Sequence, residues 1–425
     1  MAWHPHLWHP TTQVATAPEP LKVVAARGAL LQLDDGRELI DGISSWWVTL
    51  HGHAEPRIAA AIAEQAQRLE QVIFANFSHA PAEQLAERLA ALSGLERLFF
   101  SDNGSTAVEV ALKIAWQWWR NRGEPRRQLI AFEGAYHGDT VGAMALGARS
   151  VFTDPYNDLL FEVARAPWPS TWDGDAGVEA REAAALVELE RLLEHQPTAA
   201  VILEPLIQGA SGMNMVRPAF LREVERRVRA SGALLIADEV MTGFGRTGSL
   251  FACQAAGVRP DLMALSKGLT GGFLPMGVTL AREALHQAFI GSDPALTFFH
   301  GHSFTANPLG CAAALASLDL LEANPEAYGG FEQRHRARLE ALAARHGQVS
   351  RPRCRGTIAA FDLVVDHPGY LNAVGRALQR HCLKEGVYLR PLGNVVYLLP
   401  PLCLSDAQLD QCYEAIDSAL VQGLQ

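Results

Sequence analysis

Between about residues 53 and 305 the chain alternates short apolar runs with longer amphipathic stretches. The runs fall at 97–100, 128–132, 200–203, 233–237 and 261–265. Runs of that length between stretches of helical period predict βα units, and hence a mostly parallel sheet covered on both faces. In such sheets ligands bind beyond the carboxyl ends of the strands. The polar residues that follow each run are therefore where chemistry is to be sought.

The two ends of the chain have a different pattern. Residues 20–50 read as a hairpin around Asp35-Gly36, and residues 330–425 mix helical stretches with a strand-like run at 394–399. The expected organisation is a large domain at 53–305 and a smaller α+β domain built from both ends, 1–52 and 306–425. There is no internal repeat, and 167–177 reads as a surface loop.

Composition narrows the class. A chain of 425 residues, 49% hydrophobic and 19% charged, has enough apolar material for a large folded core, which excludes disorder. The formal charge of -10, with no Lys/Arg-rich run, argues against nucleic acid as a partner. The start, rich in His, Pro and Trp, lacks the apolar region of a secretion signal, and no apolar stretch is long enough to span a bilayer. The expectation is a cytoplasmic protein. Its six cysteines form no C-x-x-C pair and read as small core residues.

Four segments at strand ends carry the candidate chemistry. Ser101-Asp102-Asn103-Gly104-Ser105-Thr106 precedes an apolar-periodic helix, so backbone N–H groups, hydroxyls and the positive end of the helix dipole converge as a phosphate cradle. A plain serine cap accounts equally for that segment taken alone. In Gly134-Ala135-Tyr136-His137-Gly138-Asp139-Thr140 an aromatic ring could stack on a planar cofactor, or simply pack. Asp238-Glu239 ends a buried strand, where successive side chains point to opposite faces, so only one of the two can serve a given site. Its partner could be a protonated pyridine nitrogen or a structural cation. Lys267 leaves the fifth run into the loop Gly268-Leu269-Thr270-Gly271-Gly272, a position suited to a desolvated, nucleophilic amine as well as to a snorkelling side chain.

Two other matches are set aside. Gly243-Phe244-Gly245-Arg246-Thr247-Gly248 fits a dinucleotide-binding turn, but no helix signal opens at its glycines. The histidine pairs and triplets at 4–9, 51–53 and 300–302 have no Cys, Asp or Glu at ligand spacing, so no metal is expected.

Taken in order, Gly104-Ser105, Tyr136-His137-Gly138, Glu204-Pro205, Asp238-Glu239-Val240, the Gly243–Gly248 loop, Ser266-Lys267-Gly268 and Asn307-Pro308-Leu309 resemble the class III aminotransferases of pyridoxal-phosphate (PLP) fold type I. The match spans nearly the whole chain. The resemblance implies a seven-stranded, mostly parallel sheet in the large domain, pyridoxal 5'-phosphate as cofactor, and a homodimer with shared active sites. His6-Leu7-Trp8-His9-Pro10, Asp41-Gly42-Ile43-Ser44-Ser45-Trp46-Trp47, Tyr136-His137-Gly138-Asp139-Thr140 and Arg390-Pro391-Leu392-Gly393-Asn394-Val395-Val396-Tyr397 resemble the branch that aminates 8-amino-7-oxononanoate with S-adenosylmethionine as donor, in biotin biosynthesis.

By that resemblance Lys267 holds the cofactor and moves the proton, Asp238 faces its pyridine nitrogen, Tyr136 stacks on its ring, and Gly104 and Ser105 bind its phosphate. His302 and Ser303 would complete the phosphate site of the partner subunit, with Gly301 beside them near substrate. Trp46, Tyr136 and Arg390 would line the substrate pocket, Arg390 clamping a carboxylate, with Asp139, Arg246 and Tyr397 around them. The chain departs from the family at two places. His302-Ser303 stands where Pro-Thr is usual, which keeps the hydroxyl, and Thr11 stands where a pocket tyrosine is usual. Lysine as donor, or an ω-amino acid as substrate, stays open.

Overall fold

The computed structural model describes residues 3–423; Met1 and Ala2 of the His-, Pro- and Trp-rich start, and residues 424–425, lie outside the described residues. Its centre is a seven-stranded sheet in the order Arg97–Ser101, Gly277–Ala281, Leu262–Leu265, Leu234–Asp238, Thr198–Leu203, Gln128–Phe132, Ala164–Ala166. All pairs are parallel except the two made by Gly277–Ala281. This fold-type-I sheet contains all five expected runs. It adds two strands that the periodicity did not predict: Ala164–Ala166 is too short to register as a run, and Gly277–Ala281 is the return of the chain from the glycine-rich loop after Lys267.

Strand side chains alternate between two apolar layers. Leu234 and Ile236 face the helix Gly104–Asn121 through Ala107, Ala111 and Ala115, whereas Leu235 faces Phe220, Val224 and Val228 of the helix Pro218–Ser231. Burial on both sides is why the central strands are apolar at every position. The first helix starts at a capping box, with Asn103 Oδ1 accepting from Thr106 N and the Thr106 hydroxyl accepting from Asn103 N.

The chain ends meet in a four-stranded sheet, Val23–Arg27, Leu30–Leu33, Glu38–Asp41 and Val387–Tyr388, where Val387 pairs in parallel with Ile40. A three-stranded sheet, Val349–Arg355, Ile358–Leu363 and Val395–Leu398, packs beside it. The helix Pro308–Ala323, on the small-domain side of the boundary expected at 305/306, buries Cys311, Ala314 and Leu318 in one core with Phe100, Leu265 and Val278 of the large sheet. Among the described residues no helix is long and apolar enough to cross a membrane, and the six cysteines are free thiols.

Candidate active site

The two central parallel strands Leu234–Asp238 and Leu262–Leu265 pair Asp238 with Ala264, so their carboxyl ends deliver Asp238 and, just beyond Leu265, Lys267 to one place. A cavity of about 390 Å³ opens there, within the range of small-molecule sites. Gly104, Ser105, Tyr136, Asp238 and Lys267, drawn from four separate segments, all line it.

The phosphate-cradle segment supplies the start of the helix Gly104–Asn121, where unpaired N–H groups and the dipole favour an anion. Neighbouring glycines let the loops close on it. A Cβ at Gly104 would lie 2.7 Å from Val240 Cγ1, and one at Gly138 (φ 129°) would lie 2.8 Å from Ser105 Cα. Ser105 Oγ also accepts from Asp139 N at 3.2 Å, tying the cradle to the Tyr136 loop.

Tyr136 is fixed through its backbone. Its N–H donates to Glu204 Oε1 at 3.0 Å, and Gly209 N donates to Glu204 Oε2 at 2.9 Å. Glu204 is buried, and desolvation pushes its pKa up to about 7 against the lowering influence of His137. Burial, reinforced by Asp139, raises the Tyr136 phenol, which therefore stays protonated.

Asp238 and Glu239 part company as strand geometry demands. Asp238 lines the cavity, its Oδ2 2.7 Å from His137 Nδ1 and its Oδ1 accepting from Val240 N at 3.1 Å. Glu239 points away, accepting from the Thr242 hydroxyl, Ala252 N and Cys253 N. Lys267 sits at a left-handed φ of 45°, opening a 3-10 turn. Desolvation lowers its pKa from 10.5 to about 8, although Asp238 and Glu204 pull the other way. Its Nζ lies 4.7 Å from the Trp47 ring centroid.

The aromatic pair therefore splits. Trp47 lines the cavity, with its Nε1 donating to Tyr397 Oη at 2.9 Å, so Tyr397, 2% exposed, backs the wall rather than facing the cavity. Trp46 is exposed and lies under the Arg390 guanidinium at 4.6 Å. Arg390 Nη2 donates to Thr11 Oγ1 at 3.0 Å. Trp46, Arg390 and Thr11 thus form a second cluster outside the cavity lining. Arg246 is fully buried, donates to Pro400 O at 2.7 Å, and has its pKa brought down to about 9 by burial; it too is absent from the lining.

The loop with Gly301, His302 and Ser303 stands apart from this chain's own cavity lining, anchored where Gln71 Nε2 donates to Ser303 O at 2.8 Å. Three lining residues with no assigned role in the sequence reading, His137, Trp47 and Glu204, act through partners distant in sequence. Only their place beside the strand-end motifs could have flagged them.

The donor set fits PLP. A helix start cradles a phosphate, a buried carboxylate can face a pyridinium nitrogen, an aromatic ring can cover a flat heterocycle, and a neutral amine can bind an aldehyde. The Gly243–Gly248 segment forms consecutive turns, and the next helix begins only at Ala252, which removes the dinucleotide reading.

Known proteins agree with that chemistry. The family model described as aminotransferase class-III matches residues 11–420. An adenosylmethionine-8-amino-7-oxononanoate aminotransferase of Synechococcus elongatus is 58% identical over 99% of this chain and 99% of its own length. The enzyme of the same name from Geobacter sulfurreducens is 39% identical over 98% of this chain and 95% of its own. Among solved structures, that aminotransferase from Methanocaldococcus jannaschii superposes with a TM-score of 0.90 at 31% identity, covering 98% of this chain and 97% of its own. A PLP-bound amine transaminase from an uncultivated Pseudomonas species gives 0.92 at 31% identity, covering 99% and 100%. The chain belongs to the class III aminotransferases, enzymes that depend on PLP.

Proposed function

We propose that this enzyme transfers an amino group from S-adenosylmethionine to 8-amino-7-oxononanoate, giving 7,8-diaminononanoate for biotin synthesis. The observation that carries the reading is the 58% identity, end to end, with the Synechococcus enzyme of that activity. It is supported by Arg390, a cation with no ion pair among the described residues, beside an aromatic shelf at which a carboxylate-bearing chain could end.

In this reading Lys267 holds the cofactor and its Nζ takes and returns the proton at the substrate carbon, a role that suits an amine titrating near 8. PLP, when bound, supplies the electron sink that stabilises negative charge at that carbon. Asp238, oriented by His137, keeps the pyridine nitrogen protonated. Tyr136 covers the ring, Gly104 and Ser105 hold the phosphate, and Trp46 with Arg390 receives the acceptor. Asp139, Tyr397 and Arg246 support these groups from behind.

The same reading makes the enzyme a homodimer whose His302-Ser303 loop completes the partner's phosphate site, with Gly301 near substrate. Exposed Phe299 (75%) and Phe304 (64%) on that loop supply an apolar surface for a second copy. Free thiols throughout are in keeping with the cytoplasm.

The test is turnover by the purified holoenzyme of 8-amino-7-oxononanoate with S-adenosylmethionine, lysine or an ω-amino acid as donor. Product formed with S-adenosylmethionine is expected. Turnover with lysine alone would replace the donor, and efficient transfer from ω-amino acids to 2-oxoglutarate would replace the whole assignment.

A further inference from the structure

The N-terminal segment before the first strand reaches the Trp46–Arg390 cluster through Thr11. The strands Glu38–Asp41 and Val387–Tyr388 run parallel in register, Tyr388 opposite Asp41, so the turn Ser44–Trp47 and Arg390 leave neighbouring strand ends on the same side. Asp41 sets that turn by accepting from Ile43 N and Ser45 N. Trp46 becomes a shelf for the guanidinium, whose centre lies 4.6 Å from the ring.

A shelf under a guanidinium limits its tilt but leaves it free to rotate in plane. The second restraint is Thr11, whose Oγ1 accepts from Arg390 Nη2 at 3.0 Å. Thr11 holds a φ of 51°, unusual for a β-branched residue, and the Thr12 hydroxyl closes the turn on Pro10 O at 2.8 Å. Arg390 carries five N–H donors in one plane. With one spent on Thr11 and no carboxylate paired to it among the described residues, the rest of the fork is left for an incoming anion.

We propose that Thr11 is a positioning residue for Arg390: its hydroxyl locks the guanidinium on Trp46 so that the free edge meets a terminal carboxylate of the acceptor two-pronged. The inference rests on the functional reading above and adds to it the residue that sets preference for a carboxylate-ended acceptor.

The experiment compares 8-amino-7-oxononanoate with its methyl ester as acceptors for the holoenzyme. In the wild type the acid should be strongly preferred. Thr11→Val, close in shape but without the hydroxyl, should raise KM for the acid about tenfold with kcat nearly kept, as expected for one lost charge-assisted hydrogen bond, while the ester changes little. Thr11→Ser should restore the preference, and Thr11→Val should add nothing in an Arg390→Ala background. Equal losses for acid and ester, or full additivity with Arg390→Ala, would overturn the proposal and leave Thr11 a structural residue. Should the wild type itself not distinguish acid from ester, the carboxylate clamp fails first, and the role of Thr11 with it.

Discussion

His137 Nδ1 lies 2.7 Å from Asp238 Oδ2, a contact between the end of a central strand and a loop 101 residues earlier in the chain. An ionised carboxylate can only accept, so Nδ1 carries the hydrogen. The imidazole is fully enclosed, and its Nε2 is buried with no partner among the described residues. The pair fixes where the negative charge of Asp238 points.

Removing the charge and removing its support should therefore differ in size. Asp238→Asn is expected to lower kcat on the order of 10²–10³-fold, the scale of losing one preorganised electrostatic group. His137→Gln should cost about tenfold, the scale of a lost hydrogen bond to a charged group, with cofactor content kept. Steady-state rates and the cofactor absorbance of the purified variants check this. Two variants of equal severity would mean that His137 contributes more than orientation.

Gly138 closes the cradle against Ser105. At Gly138, with φ 129°, a methyl group would press on Ser105 Oγ and stand 2.8 Å from its Cα, and backbone at the start of a capped helix cannot give way. Gly138→Ala should weaken PLP binding by at least about tenfold through displacement of Ser105, and the strain of alanine at this φ should also lower the thermal transition. Titration of the cofactor-free protein measures it; unchanged affinity would remove Ser105 from the cradle.

How much of this was legible in the sequence depends on the range of the interactions. Strand ends with Gly104, Asp238 and Lys267 were readable because period and burial are local properties, and the alternation of strand side chains already separated Asp238 from Glu239. The strand Gly277–Ala281 was not, because its antiparallel place follows from where the glycine loop turns back. Nor was the division of labour between Trp46 and Trp47, which the left-handed residues Ser44, Ser45 and Trp47 impose on the turn. The bonds Trp47–Tyr397 and Arg390–Thr11 join residues more than 300 positions apart, beyond any local pattern.

Glu239 gives a prediction about stability rather than catalysis. Its carboxylate receives Ala252 N at 3.0 Å, Cys253 N at 2.7 Å and the Thr242 hydroxyl at 2.7 Å, all in the core. Burial raises its pKa, and these three donors oppose the shift. Glu239→Ala leaves two buried N–H groups without acceptors and should cost about 2–4 kcal/mol, read from the denaturant midpoint. A variant that lost activity at unchanged stability would place Glu239 in the site instead.

The pKa of Lys267, about 8, is set chiefly by desolvation. Only the neutral amine can attack an aldehyde, so capture of PLP by the cofactor-free protein should climb with pH and level off above about 8 to 9, well short of an ordinary lysine at about 10.4. Stability is linked to the same shift. Between about 8 and 10.5 the unfolded chain binds the proton and the folded chain does not, so the stability of the cofactor-free protein rises with pH across that window. Below 8 both states are protonated and the folded state bears the full cost of a buried ammonium. Lys267→Met removes that cost and should be more stable than the wild type at pH 7, with an advantage that shrinks from pH 8 toward 10.5. Denaturant midpoints of the two proteins across that range decide it. A difference that stays constant with pH, or capture still climbing at pH 10, would return Lys267 to the behaviour of a solvated lysine and take away the reason for its reactivity at neutral pH.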